Sequence, residues 1–249
     1  MPKKKKRSRI DVEAFKDKIT PVGKMKKPLR IGIYGKPGVG KTTFCASAPN
    51  VLLADCNEEG TLSIVDTKVD VVYLKTFDEI NLLYWFLAKG DHKYETVAID
   101  SITSLQAMGM KFVMDEASEM DLTKDPAMMD KRDWGKLNNL MSDVIINFRN
   151  LPMHIIFTAH ERVREEEDGN IEIFPQMTPG VRATFEGIID VIGRLYVREI
   201  TVDEKRKIVR RLLVGPHEKY ISKTRSKHSE HIVKDPTFPL ILKKIRRSG

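Results

Sequence analysis

Residues 35–42 are Gly35-Lys36-Pro37-Gly38-Val39-Gly40-Lys41-Thr42, and they fit the pattern G-x-x-x-x-G-K-[ST] at every fixed position. An apolar run at residues 29–34 precedes this stretch, and residues 41–48 have the pattern of a short helix. Glycines let backbone N–H groups converge on phosphate oxygens without a Cβ in the way, and the positive end of the following helix favours anions. The stretch therefore predicts a phosphate-binding loop between a buried strand and a helix.

The residues of this loop have separate predicted roles in binding a nucleotide. Lys41 is expected to neutralise the β- and γ-phosphates, and Thr42 is expected to give its hydroxyl to Mg²⁺. Thr43, the next hydroxyl of the first helical turn, is expected to add a phosphate contact. The residues expected to surround the phosphates are Gly35, Lys36, Pro37, Gly38, Val39 and Gly40. The predicted ligands are ATP and Mg²⁺.

Strand and helix patterns alternate on both sides of the loop. Strands are predicted at residues 51–55, 69–74, 96–100 and 154–158, with later strands at 188–197 and 208–214. Helices are predicted at residues 78–88, 101–119 and 131–150, and a hairpin is predicted at 162–174 around Gly169. This order predicts an α/β fold with a largely parallel central sheet flanked by helices. The predicted organisation is a flexible basic arm at residues 1–27, a core at 28–227 and a basic C-terminal tail at 228–249.

Composition sets limits on the class of protein. Hydrophobic residues make up 41% of the 249 residues, which is enough for a sizeable core. No run of about eighteen apolar residues is present, so no membrane-spanning helix is expected, and the lysine-rich start has no apolar stretch typical of a secretory signal. Cys45 and Cys56 are too few for a disulfide scaffold. We therefore expect a cytoplasmic protein.

Charge is segregated along the chain. Residues 1–30 hold 12 Lys/Arg and 3 Asp/Glu, and residues 205–249 hold 14 and 3, whereas residues 31–204 hold 17 and 29. Basic ends on an acidic body favour a polyanionic partner that is met through the ends. The alternative interpretation is two solvated tails that only aid solubility.

Three further positions carry candidate site residues. Asp100 ends a predicted buried strand, where a carboxylate is suited to hold Mg²⁺ or, alternatively, to cap the next helix. Glu58 and Glu59 follow the second strand, where either carboxylate would be placed to orient an attacking water or, alternatively, both would belong to a solvated acidic turn. His160 follows the fifth strand, where it would contact the γ-phosphate or serve a structural role.

Together these landmarks resemble the RecA-like P-loop ATPases. The sequence is most similar to the short, phage-type RecA-core proteins described as AAA-domain nucleotide-binding proteins, some of which are single-strand annealing recombinases. The resemblance covers roughly residues 29–227, and its specific part is the loop at 35–43. It implies a RecA-like core, ATP hydrolysis and, for a phage-encoded chain, a place in the cytoplasm of the bacterial host.

The resemblance also implies roles for residues outside the loop. Glu58, with Glu59 close behind, matches the carboxylate that polarises water, and His160 stands at the sensor position, where RecA has an amide. The segment at residues 161–182 corresponds to the loop that binds single-stranded DNA in RecA-like filaments. Its candidate DNA-binding residues are Arg162, Arg164 and Arg182, which are expected to meet phosphates, and Phe174, which is expected to stack on bases or, alternatively, only to pack within the hairpin. The acidic run at residues 165–168 departs from a simple DNA-binding loop.

A late basic element bears on assembly. Lys223 and Arg225 resemble the residues that such families present to the ATP of an adjacent protomer, although they also fit a generic basic tail. The resemblance thus implies a homo-oligomer, either a ring or a filament, that binds single-stranded DNA and meets phage replication or single-strand-binding proteins. Three alternatives remain. They are a P-loop ATPase that acts on a protein, as a loader or motor does, a small-molecule kinase, and a nucleotide-gated binding module without turnover.

Overall fold

The computed structural model describes residues 19, 27–125, 127–166, 169–202, 205–225 and 230–246. The basic arm predicted for residues 1–27 lies outside the described residues, except for Ile19 and Lys27.

The elements follow the predicted alternation of strands and helices. The strands are β1 (Arg30–Gly35), β2 (Val51–Asp55), β3 (Asp70–Tyr73), β4 (Thr96–Asp100), β5 (His154–Glu165), β6 (Ile171–Pro175), β7 (Val191–Val202), β8 (Lys205–Leu213), β9 (Lys223–Thr224) and β10 (Ile232–Lys234). The helices are α1 (Lys41–Ala46), a 3₁₀ helix (Gly60–Ile64), α2 (Glu79–Lys89), α3 (Ile102–Met120), α4 (Lys131–Arg149), α5 (Pro179–Ile188) and α6 (Phe238–Arg246).

The ten strands of the described residues form one connected sheet. Its order is β10-β8-β7-β1-β5-β4-β2-β3, with β6 paired to β5 and β9 paired to β7. The six strands from β7 to β3 in this order pair in parallel, and the remaining pairs are antiparallel. The predicted α/β fold with a largely parallel sheet is confirmed. In such a sheet the loops at the carboxyl ends of the parallel strands share one edge, where ligands bind.

Helices cover both faces of the sheet because the central strands are apolar on both sides. One face packs against α2, α3, α4 and α5 through side chains such as Leu83, Leu105 and Phe185. The other face packs against α1 and α6 through Phe44 and Phe238. The phosphate loop and α1 therefore lie on the same face of the sheet as α6.

Two predictions about the later part of the chain are wrong. The predicted C-terminal tail at residues 228–249 includes β10 and α6, and Val233, Phe238 and Ile241 are buried because their spacing gives α6 an apolar face. The resemblance implies a loop that extends to residue 182, but α5 begins before that, at Pro179.

Two antiparallel extensions project from the sheet. The predicted hairpin is confirmed: β5 continues to Glu165 and pairs with β6. Strand β7 pairs with β1 only as far as Arg194, and its later residues pair with β8 alone. We call this second extension, residues 196–202 and 205–211, the β7–β8 ribbon.

Candidate nucleotide site

The phosphate loop follows β1 at the carboxyl edge of the sheet. Gly38 has a φ of 77° and Gly40 a φ of 100°, in the left-handed region that glycine adopts without a steric penalty. Lys41, which is 8% exposed, folds back over the loop, and its Nζ donates to the carbonyls of Gly35 and Lys36 at 3.2 Å each. Burial lowers the pKa of Lys41, although Asp100 and Glu58 act in the opposite direction. The lysine thus lies where the motif requires it.

Asp100, at the end of β4, is buried beside the first turn of α1. Its Oδ2 accepts a hydrogen bond from Thr42 Oγ1 at 2.7 Å, and its Oδ1 accepts one from the Thr158 hydroxyl. The N-cap of α3 is Ser101, whose Oγ accepts from the backbone N–H of Ser104 at 3.2 Å, so Asp100 is not the cap. Its carboxylate is therefore available to the nucleotide site.

The oxygen atoms of Thr42 and Asp100 suit Mg²⁺. This ion prefers oxygen ligands and commonly takes one or two carboxylates together with substrate phosphates. Asp55 lies beside Asp100 in the register of β2 and β4 and supplies a second carboxylate at the same edge. Among the described residues no cluster of three or more His, Cys, Asp or Glu side chains has the arrangement to hold a metal alone. Mg²⁺ held by Thr42 and Asp100 would thus depend on nucleotide phosphates as further ligands.

Glu58 is held in the site by a network of hydrogen bonds. Its backbone N–H donates to Asp55 Oδ1 at 2.7 Å, which shapes the turn after β2. Its Oε1 accepts from the hydroxyls of Ser101 and Ser104 and lies 3.0 Å from His160 Nε2. Burial raises the pKa of Glu58, but the hydrogen bonds from His160, Ser101 and Ser104 outweigh it and lower the pKa to about 2. The carboxylate is therefore ionised at neutral pH.

Glu59 differs from Glu58 in placement. It is exposed, with a φ of 51°, while Gly60 after it lies against the Thr42 hydroxyl. The structure thus brings Glu58 into contact with the other site residues and leaves Glu59 toward solvent.

His160 lies within β5, directly beside Gly35 of β1. Its backbone N–H donates to Thr103 Oγ1 at 3.0 Å, and its ring contacts both carboxylate oxygens of Glu58. The prediction that His160 follows the strand is wrong, because β5 pairs with β1 as far as His160 and then with β6 as far as Glu165. The imidazole nevertheless lies next to the phosphate loop.

The four residues predicted to contact DNA have different environments. Phe174 is 6% exposed, and the guanidinium of Arg182 lies 4.1 Å from its ring centre. The stacking role predicted for Phe174 is therefore wrong in this arrangement, since the ring is already covered. Arg182 lies 3.7 Å from Glu172, and Arg164 donates to Glu172 at 2.7 Å. Arg162 is exposed, with no described carboxylate at ion-pair distance.

Lys223 and Arg225 do not meet the phosphate loop of their own chain. Strand β9 pairs with the start of β7, whereas the loop follows the far end of β1. Lys223 Nζ donates to the carbonyl of Glu186, and Arg225 donates to the carbonyl of Gly187 at 2.5 Å. Both cations therefore contact the last turn of α5, where positive charge is favourable. Their role toward a neighbouring protomer stays a prediction.

Two contacts that the sequence did not indicate tie the β7–β8 ribbon to this site. Arg210 Nε donates to the carbonyl of Val39 at 3.2 Å, and its side chain lies against Gly40. Arg194, at the root of the ribbon, donates to Glu161 at 2.9 Å. In the sequence, the basic run at residues 205–211 indicates a group of cations, but it does not show which of them reaches the phosphate loop.

The strand order, the glycine loop and the Thr42–Asp100 pair define a P-loop ATPase domain, the class of protein that binds and hydrolyses nucleoside triphosphates. More specifically, the family model described as AAA domain matches residues 27–226, and the chain belongs to that family. No curated protein matches the chain. Within the described residues no helix is both long and apolar enough to cross a membrane.

Proposed function

We propose that this chain is a Mg²⁺-dependent ATPase of the short, RecA-like phage type, and that its turnover is linked to single-stranded DNA in recombination, annealing or replication. The 3.0 Å contact between Glu58 and His160 supports this proposal most directly. It joins a carboxylate beside the phosphate loop to a strand that continues into a projecting hairpin. A ligand bound to a projecting element would thereby affect Glu58, the residue proposed to orient the attacking water.

In the proposed reaction, Glu58 orients a water molecule for attack on the γ-phosphorus of ATP. The new bond forms between the water oxygen and phosphorus, the bond to the β–γ bridging oxygen breaks, and ADP leaves with the bonding electrons. The water proton passes to Glu58 and from there to the phosphate product. Lys41 stabilises the charge on the phosphates. Thr42 and Asp100 would hold Mg²⁺ together with phosphate oxygens, and the ion would supply further charge neutralisation.

The hydrogen bonds of Glu58 indicate which oxygen would receive the water. Three side chains approach Oε1, whereas among the described residues only His160 approaches Oε2, at 3.1 Å. A carboxylate oxygen accepts at about two lone-pair positions. Oε2 is therefore the oxygen with capacity left to accept a hydrogen bond from water.

The proposal includes assembly in the host cytoplasm. Lys223 and Arg225 lie away from the phosphate loop of their own chain, so they would act on nucleotide only across a contact between protomers. A head-to-tail contact of this kind repeats into a ring or a filament. Single-stranded DNA and phage replication or single-strand-binding proteins are the proposed partners.

The test is phosphate release from ATP with and without single-stranded DNA, at low and moderate salt, with Lys41→Ala as the blank. Strong stimulation by DNA is the expected result. Turnover indifferent to DNA would contradict the DNA link and favour a protein-directed motor or a small-molecule kinase. ATP binding without turnover would contradict the ATPase itself.

A further inference from the structure

The β7–β8 ribbon carries a row of cations on one face. Tyr196 lies opposite Arg211, Arg198 opposite Val209, and Ile200 opposite Lys207. Since side chains of paired residues share a face and alternate positions point the same way, Arg211, Arg198 and Lys207 lie on one face. Successive pairs on this face are two residues apart, which is about 6.6 Å along a strand.

These three cations have no described carboxylate at ion-pair distance. On the opposite face, Arg206 pairs with Glu199 at 3.2 Å. The Nε of Arg211 is buried and has no hydrogen-bond partner among the described residues. Among the residues that the structure describes, this face is therefore positively charged, with no carboxylate at ion-pair distance from its cations.

We propose that this face of the ribbon, with Arg198, Lys207 and Arg211, binds the phosphate backbone of single-stranded nucleic acid. The proposal rests on the proposed function, since it assigns the surface that takes the DNA. The three cations alternate between β8 and β7 at steps of about 6.6 Å along the ribbon. This spacing matches consecutive phosphates along an extended strand better than the compact phosphates of one nucleotide.

The ribbon and its root also contact two parts of the nucleotide site, namely the phosphate loop and the strand that carries His160. Arg210 contacts the carbonyl of Val39 in the phosphate loop. Arg194, on the same face as Arg198, pairs with Glu161, the residue after His160. DNA on the ribbon would therefore act on the loop through β8 and on the Glu58–His160 contact through β7.

The experiment compares the salt dependence of DNA binding in two matched variants of the full chain. The ribbon variant is Arg198→Gln, Lys207→Gln and Arg211→Gln. The control variant is Lys68→Gln, Lys75→Gln and Lys89→Gln, which removes the same charge from exposed positions near the far edge of the sheet. The probe is fluorescence anisotropy of a labelled oligothymidylate with a non-hydrolysable ATP analogue, over a range of salt concentrations.

Each lost phosphate contact lowers the slope of log affinity against log salt by about 0.7 for a single strand. We therefore expect the slope of the ribbon variant to fall by about 2 and that of the control variant to stay at the wild-type value. Equal slopes in the two variants would overturn the proposal. If the Arg211 change prevents folding, Arg198→Gln with Lys207→Gln is expected to lower the slope by about 1.4, and an unchanged slope would again overturn it.

The wild-type chain separates this proposal from the proposed function. Wild-type DNA binding and DNA-stimulated turnover, with a ribbon variant that keeps the wild-type slope, would overturn only the ribbon as the binding surface. No binding and no stimulation in the wild type would overturn the DNA link and the ribbon proposal together. Loss of stimulation in the ribbon variant, with turnover without DNA unchanged, is the supporting result.

Discussion

The charged groups of the nucleotide site and those of the β7–β8 ribbon differ in what neutralises them. In the site, Glu58 and Asp100 each accept hydrogen bonds from two or more neighbouring side chains. On the ribbon, Arg198 and Lys207 are exposed without a described carboxylate nearby. Internally paired, partly buried groups are screened little by salt, whereas exposed charges are screened strongly. Changes in the site should thus have large effects that salt hardly alters, and changes on the ribbon should have small, additive, salt-dependent effects.

The largest expected effect is on turnover in Glu58→Gln. The amide keeps the shape of the side chain but is a poor acceptor for a water proton, so kcat should fall by about 10³-fold. Phosphate release at saturating ATP measures this loss. Glu59→Gln removes the same charge from the exposed neighbour, and an equal loss there would transfer the role to Glu59.

Glu58 also gives the site a pH dependence with a definite sign. Its pKa is lowered from an ordinary 4.5 to about 2, so folding favours the ionised carboxylate. The resulting stabilisation is present above pH 4.5 and is lost as the pH falls toward 2. The difference in free energy of unfolding between wild type and Glu58→Gln should therefore shrink over this window, and a difference independent of pH would contradict the network.

The second largest effect is expected in Arg194→Ala, at the junction of the two regions. It leaves the carboxylate of Glu161, whose side chain is 6% exposed, without its partner. Removing one member of a buried ion pair costs about 3 kcal/mol. Urea unfolding measures the cost, which should be nearly independent of salt. As a control, the double variant Arg194→Met with Glu161→Gln should recover part of the lost free energy of unfolding. A loss below about 1 kcal/mol in Arg194→Ala would show that the pair behaves as an exposed ion pair.

A smaller effect is expected in Arg210→Gln, which removes the contact between the ribbon and the phosphate loop. Because Arg210 is exposed, its hydrogen bond contributes about 1 kcal/mol, so KM for ATP should rise about fivefold, with kcat less affected. Steady-state kinetics separates the two constants. A fall in kcat at constant KM would place Arg210 in the chemical step instead.

The smallest effects are expected from single arginines on the two projecting elements. Arg198→Gln should weaken DNA binding by about threefold at low salt and less at high salt. Arg164→Gln on the β5–β6 hairpin should change binding by less than about twofold, because Glu166 and Glu172 already neutralise that guanidinium. Anisotropy titrations at two salt concentrations compare them. A larger effect for Arg164→Gln than for Arg198→Gln would indicate that DNA binds to the β5–β6 hairpin and not to the ribbon.

Local patterns were sufficient to predict the elements around the site. The loop motif, the apolar runs of β2 and β4 and the spacing in α4 each arise from residues close together in the chain. Helix α5 was missed because Pro179 and Gly180 suggest a loop, although proline is favoured in the first turn of a helix. Helix α6 was missed because its lysines and Pro239 obscured the apolar spacing of Phe238, Ile241 and Ile245.

The site itself was predictable only in part. Motif spacing predicted Lys41 and Thr42, and the end of a buried strand predicted Asp100. Neither signal separated Glu58 from Glu59, since that difference depends on the turn set by Asp55. Burial of Phe174 under Arg182 depends on α5, which the sequence did not reveal. Arg210 reaches Val39 across 171 residues of sequence, and no local pattern carries that contact.

The covering of α1 by α6 has a consequence for synthesis of the chain. The backbone N–H of Phe238 donates to Ser47 Oγ at 2.8 Å, and the ring of Phe238 packs against Phe44. The ribosome makes these two helices about 200 residues apart, which is roughly 10–40 s at ordinary elongation rates. During that interval the apolar back of α1 has no α6 to cover it. A nascent chain stalled before residue 238 should therefore bind nucleotide poorly and attract chaperones. A chain released after residue 246 should bind nucleotide well and attract fewer chaperones.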